Sequence, residues 1–106
     1  MTTLAIELEI PSAKNVTVTD DTLSVDLSDG RTISAPIAWY PRLSHAEPSE
    51  RENWKLIGGG HGIHWDNIDE DISVEGLLVG KPSGERQKSF KKWLETRASR
   101  ITKSSI

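Results

Sequence analysis

The 106 residues suit a single domain, and a composition of 35% apolar and 27% charged residues is polar for a globular chain without being that of a disordered one. No cysteine is present, which excludes disulfide frameworks, thiolate zinc sites and cysteine nucleophiles. The net charge of −3 divides unevenly: residues 1–80 carry five basic side chains against fourteen acidic ones, and residues 81–106 carry eight against two. An acidic body, 1–80, is therefore expected beside a basic C-terminal helix and tail, 81–106, within one domain.

In chain order, Leu4, Ile6, Leu8 and Ile10 alternate with Glu7 and Glu9, and that period of two predicts a strand over 4–10. Residues 15–19 and 23–27 alternate in the same way, with Asp20-Asp21 as the turn between them. Asp29-Gly30 is the strongest hairpin signal, because its turn needs the positive φ that glycine supplies. Three or four strands in a meander follow, ended by Pro36. The stretch IAWYPRL, 37–43, reads as a buried turn or short helix.

Pro48 is placed to open a helix running through Glu50, Arg51 and Trp54. Gly58-Gly59-Gly60 then permits a tight reversal, and Gly62 to Trp65 is the returning strand of a second hairpin. Asp66 to Asp71, DNIDED, reads as an acidic loop whose charge favours the start of a short helix over Ser73 to Val79. Ser83 is expected to cap a last helix from about Gly84 to Ser99. On it Phe90, Trp93, Leu94 and Ile101 form an apolar stripe, surrounded by Lys88, Lys91, Lys92 and Arg97. The fold class is thus α+β: antiparallel meander and hairpins of four to six strands, two or three short helices, and a C-terminal amphipathic helix.

The N-terminal MTTLAIELEIPSA has no basic segment followed by a long apolar run, and no window approaches the roughly 18 apolar residues of a spanning helix. A cytoplasmic location without membrane contact is expected by elimination.

No constellation predicts catalysis. His61 and His64 fall on opposite faces of a strand, leaving only His64 and Asp66 to share one, and two ligands do not close a metal site. The acids Asp66, Asp69, Glu70 and Asp71 lack calcium-loop spacing, and nothing in their pattern marks a pocket that would separate two carboxyl pKa values. GGGHG at 58–62 matches no phosphate-binding fingerprint, and Ser44-His45 has no nucleophile elbow around it. No catalytic residue, metal or cofactor is therefore expected. The tryptophans, four against one Phe and one Tyr, suit core packing, although Trp39 with Arg42 and His64 with Trp65 have the composition of an interface hot spot.

The stretches SVDLSDGRTISAPIAWYPRL, ERENWKLIGGGHGIHWDNIDEDISVEGLL and SFKKWLETR together resemble a bacterial family, domain of unknown function 2442, over about residues 14–97. The matching positions run in order: Asp29-Gly30-Arg31, Trp39, Pro41-Arg42-Leu43, Asn53-Trp54, Gly62 to Trp65, and Asp69 to Ser73. Asp66 departs from the pattern, which has proline after the tryptophan. The resemblance implies a small antiparallel sheet with helices packed on it. It also implies relatives that are fused to a helix-turn-helix domain or paired with a second small protein in toxin–antitoxin-like arrangements. It assigns no catalytic residue.

The leading expectation is a non-catalytic protein-interaction or regulatory module, antitoxin-like, taking a small basic protein partner or a second copy of itself. Its candidate partner-binding residues are Trp39, Arg42, His64, Trp65, Asp66, Asp69, Glu70 and Asp71. One alternative is nucleic-acid binding through Arg86, Lys88, Lys91, Lys92, Arg97 and Arg100 on the basic helix, which the acidic body opposes. A second is a small-molecule or enzymatic site near His64, Asp66 and Trp39.

Overall fold

The computed structural model describes residues 10–85 and 87–104, with side chains through residue 98. All of the strand expected at 4–10 except Ile10 lies outside the described residues, as do Arg86 and the side chain of Arg100. The architecture is α+β, with two three-stranded antiparallel sheets. Strands β1 (Ala13–Val18), β2 (Thr22–Leu27) and β3 (Thr32–Pro36) form the first, and β4 (Trp54–Ile57), β5 (Gly62–Trp65) and β6 (Glu70–Ser73) the second.

The first sheet follows the alternation of its residues. Leu23, Val25 and Leu27 point inward and are buried, while Ser24 and Asp26 face out. On that outer face Ser24 Oγ lies 2.9 Å from Ser34 Oγ, and the Thr32 hydroxyl donates to Asp26 at 2.8 Å. The β1–β2 turn is closed by Thr19 Oγ1, which accepts from the N–H groups of Asp21 and Thr22. Gly30, at φ 92°, closes the β2–β3 turn.

Between the sheets lie a 3-10 turn (Ile37–Trp39), α1 (Pro41–His45) and α2 (Pro48–Glu52). Both helices carry proline in their first turn, and Glu47 with Glu50 forms a capping box on α2. Helix α2 stops at Glu52, short of the expected Trp54, which instead opens β4. Asn53 leaves the helical region at φ −91°, ψ 61°. Trp54 then lies across from Trp65, trading helical continuation for burial against the second sheet. Gly58, Gly59 and Gly60 all take positive φ and make the β4–β5 reversal.

The acidic stretch is also not a loop throughout. It turns at 66–69, and Glu70-Asp71 begins β6. Asp69 sits at φ 51°, a conformation that aspartate tolerates better than most residues. That reversal turns Glu70 and Ile72 toward the core beside Trp65 and Ile63. Helix α3 (Val74–Leu78) is capped by Ser73, whose Oγ accepts from Gly76 N–H at 2.9 Å. The last helix, α4 (Gln87–Ser104), starts later and runs further than the span expected from Gly84 to Ser99. Ser83 accepts from Glu85 N–H in a turn ahead of the helix, and Glu85 is tied to Arg42 instead of entering the helix.

Both sheets, α1 and α3 contribute to one buried cluster, in which Trp65, Leu23, Leu43, Ile63, Ile68, Val25 and Val74 are essentially inaccessible. Trp39, Trp54 and Trp93 pack half-buried against it. Among the described residues no helix is long and apolar enough to cross a membrane.

Candidate functional site

The register of the second sheet sorts the candidate residues onto two faces. Lys55, His64 and Asp71 are cross-strand neighbours on the outer face; Trp54, Trp65 and Glu70 form the adjacent row on the inner one. On the outer face His64 Nδ1 lies 2.5 Å from Asp71 Oδ1, and its Nε2 lies 2.8 Å from Asp66 Oδ1. Asp66 Oδ1 is also 3.4 Å from Lys55 Nζ. With a carboxylate at each ring nitrogen, both are satisfied as donors only when the imidazole is protonated. The His64 pKa is accordingly raised, chiefly by the Asp71 hydrogen bond. His64 and Asp66 do share a face, as the alternation predicts. Among the described residues no group of three or more His, Asp and Glu is arranged to hold a metal ion.

The inner row belongs to the interior. Trp65 is fully buried, and its indole N–H donates to Arg51 O at 3.0 Å. Arg51 is itself buried. It donates to Leu43 O and Ser44 O on α1, each at 3.0 Å, and to Asp20 Oδ1 at 2.7 Å. It thereby ties α1 and α2 to the β1–β2 turn, a role that its place in a helix beside Glu50 does not reveal. Glu70 is buried too, and burial followed by the nearby charge of Glu85 pushes its carboxyl up to about 7, against the opposing pull of Arg42. The pocket that separates carboxyl groups thus exists, at Glu70. What signals it is the period-two pattern of Glu70, Ile72 and Val74, visible once 70–73 is read as a strand.

Arg42 organises the contact between the body and α4. It pairs with both carboxylate oxygens of Glu85, at 2.6 and 3.0 Å, and donates to the carbonyls of Ile68 and Asp69. The Glu85 carboxyl is held below its ordinary range by that pairing. The Arg42 and Arg97 guanidinium groups lie 5.2 and 4.8 Å from the Trp93 ring centroid, and Arg97 makes two 3.0 Å bonds to Glu50. Phe90 stacks on Trp93 and meets His45. The half-buried side of α4 therefore faces the body, while Lys88, Lys91 and Lys92 are exposed. Arg42, Asp66, Asp69, Lys92 and Trp93 line one open groove. Trp39 is half-buried and receives Ser83 N–H on its carbonyl.

Two meander-type sheets over one core, with a terminal helix docked by arginine, tryptophan and carboxylate contacts, define a small α+β domain. The chain belongs to the DUF2442 family, described as a protein of unknown function, whose profile matches residues 13–83. The SFKKWLETR stretch of α4 lies beyond that match. The chain is similar, at 26% identity and a TM-score of 0.62, to a protein of unknown function from Rhodospirillum rubrum, the alignment covering 73% of this chain and 95% of that one. It shares its fold with an uncharacterized protein from Chromobacterium violaceum, at 19% identity and a TM-score of 0.61, over 78% of this chain and 76% of that one. No curated protein matches the sequence.

Proposed function

We propose that this chain is a non-catalytic protein-interaction or regulatory module whose partner is a small basic protein, in an antitoxin-like arrangement. The observation that carries this reading is the open edge of the second sheet. Among the described residues β4 is hydrogen-bonded to β5 alone, and it exposes Leu56 and Ile57, at 37% and 39%. An unpaired edge offers backbone hydrogen bonds to an incoming strand, and exposed aliphatic side chains give that strand apolar contact. Asp66, Asp69 and Asp71, all exposed at the other end of the same sheet, favour a basic partner and disfavour an acidic one. Protein is preferred to nucleic acid because Arg97 is already engaged with Glu50, and the acidic body repels a phosphate backbone.

The test is reconstitution from purified components. A basic polypeptide recovered with the chain from its host at physiological salt should bind it one to one in isolation. Binding should fall at least tenfold in Leu56→Lys and in Asp66→Lys/Asp69→Lys. A chain that elutes alone, or a complex indifferent to both variants, overturns the reading. If the chain instead shifts DNA or RNA at low salt, and does so through Lys88, Lys91 and Lys92, the nucleic-acid alternative replaces it.

A further inference from the structure

We infer that α4 is a releasable latch: it leaves the body and melts as a unit while both sheets stay folded, and in doing so uncovers the Arg42–His45–Glu50 face of the body. No described side chain of α4 is buried, and none joins the central cluster, against which Trp93 packs only at the margin. The helix meets the body through Phe90 against His45, Trp93 beside Arg42, and Arg97 on Glu50. Its departure therefore leaves the core intact. The boundary is marked in the chain. Lys81 N–H donates to Gly76 O and Ser83 N–H to Trp39 O, so the segment up to Ser83 stays with the body, and the family profile ends at that same residue. Exposed Gly84 separates this anchor from the first latch contact, at Glu85.

Two arginine–carboxylate pairs of opposite polarity hold the docked state. Arg42 of the body takes both carboxylate oxygens of Glu85, and Glu50 of the body accepts from both terminal nitrogens of Arg97. The carbonyls of Ile68 and Asp69 accept from Arg42 and keep it in place. A helix docked the other way round would set Glu85 against Glu50 and Arg97 against Arg42, so the charges fix its direction. All four side chains are at most 20% exposed, which makes these pairs stronger than pairs in open water.

Once released, the helix loses what stabilises it. It has one alanine in 18 residues, and most helical stability in proteins comes from packing an amphipathic face. Undocking and melting are therefore one step. A ligand for the covered face must displace the latch first, so its apparent affinity scales with the fraction of chains that are open. The inference is independent of the β4-edge reading, because no latch residue lies on β4.

Amide exchange of the full chain is the test. In the parent, amides within 90–98 should exchange about tenfold or more faster than those of β2 and β5. Arg97→Glu sets like charges together at Glu50 and leaves the body sequence unaltered. It should quicken 90–98 by a further factor of about ten, with β2 and β5 unchanged. Arg97→Lys keeps the charge and should recover most of that loss. On the body side, the His45 ring lies 5.1 Å from Phe90, so its resonances should lose the Phe90 ring-current shift in Arg97→Glu. The inference is overturned if α4 and the strands exchange at one rate in the parent, which would make the helix part of the global unit. It is overturned equally if Arg97→Glu quickens the strands along with α4 or fails to fold, if His45 does not respond, or if Arg97→Lys behaves like Arg97→Glu.

Discussion

Arg51 and His64 each join several partners around the second sheet, but they do so in different solvents. Arg51 is buried at the α1–α2 junction and spends its donors on the carbonyls of Leu43 and Ser44, with an exposed Asp20 at the far end. His64 lies on the outer face between Asp66 and Asp71, whose side chains are 58% and 68% exposed. In the drier site a missing donor strands the buried Leu43 carbonyl and weakens the part-buried Ser44 one, and in the wet site water replaces whatever is lost. Similar ionic contacts therefore hold the fold together at Arg51 and merely adjust it at His64.

The sharpest way to break this contrast is Arg51→Met, which keeps the aliphatic bulk and removes every donor. The expected loss is about 3 kcal/mol or more, read as a lower urea midpoint with an unchanged slope. Asp20→Asn removes only the wet end of the same side chain's network. Asp20 is 91% exposed, so a change within about 0.5 kcal/mol is expected. Equal losses in the two variants would show that burial does not govern the difference.

Gly60 links the reversal of the second sheet to the segment leading into the first. It takes φ 90°, and an added Cβ would lie 2.8 Å from Ser12 Cβ and 3.2 Å from Ala13 O. Gly60→Ala should cost about 1–3 kcal/mol in thermal unfolding, strain and crowding acting together. Gly58→Ala, at φ 58° with nothing within 4 Å of the added carbon, should cost less, about 1 kcal/mol. Trp93→Ala comes next. It removes the surface shared by Arg42 and Arg97, and is expected to cost about 1–2 kcal/mol. Amide exchange should quicken in α4 while the first sheet keeps its protection.

Much of the fold is legible in the residues, and the exceptions have a common cause. The first sheet is governed by local rules: alternation at Leu23, Val25 and Leu27, and a glycine at the one turn position with φ 92°. The second hairpin and the Ser73 cap are equally local. Trp54 and Glu70 are the residues whose state is set from a distance. Trp54 leaves its helix because Trp65 is there to pair with it, and Glu70 leaves its acidic loop because β5 needs an edge partner. The site divides in the same way. His64 and Asp66 on one face follow from spacing, as does Phe90 beside Trp93 one helical turn away, whereas the burial of Glu70 and the docking of Trp93 on the body involve distant contacts, such as Arg42 with Glu85 at a separation of 43 and Arg42 with the Trp93 ring. No window of sequence contains both partners.

The smallest effect is also the most diagnostic, because it has a sign. The Asp71 hydrogen bond raises the His64 pKa above 6.5; desolvation and Lys55 oppose the shift, and the charges of Asp71 and Asp66 reinforce it. A histidine whose folded pKa exceeds its unfolded one stabilises the fold fully below the unfolded value, and loses that contribution as pH rises through the folded one. Glu70, whose pKa is raised by burial, also destabilises as it ionises, but it does so between about 4.5 and about 7 and from the inner face. The quantity to measure is therefore the difference between the parent chain and His64→Gln, in which the Glu70 contribution cancels. That difference should favour the parent below pH 6.5 and shrink above it, and Asp71→Asn should flatten it. Because the carboxylates are exposed, about 0.5 M salt should shrink it as well. A difference that resists salt would mean that His64 is held by a partner water does not reach, and the contrast with Arg51 would then dissolve.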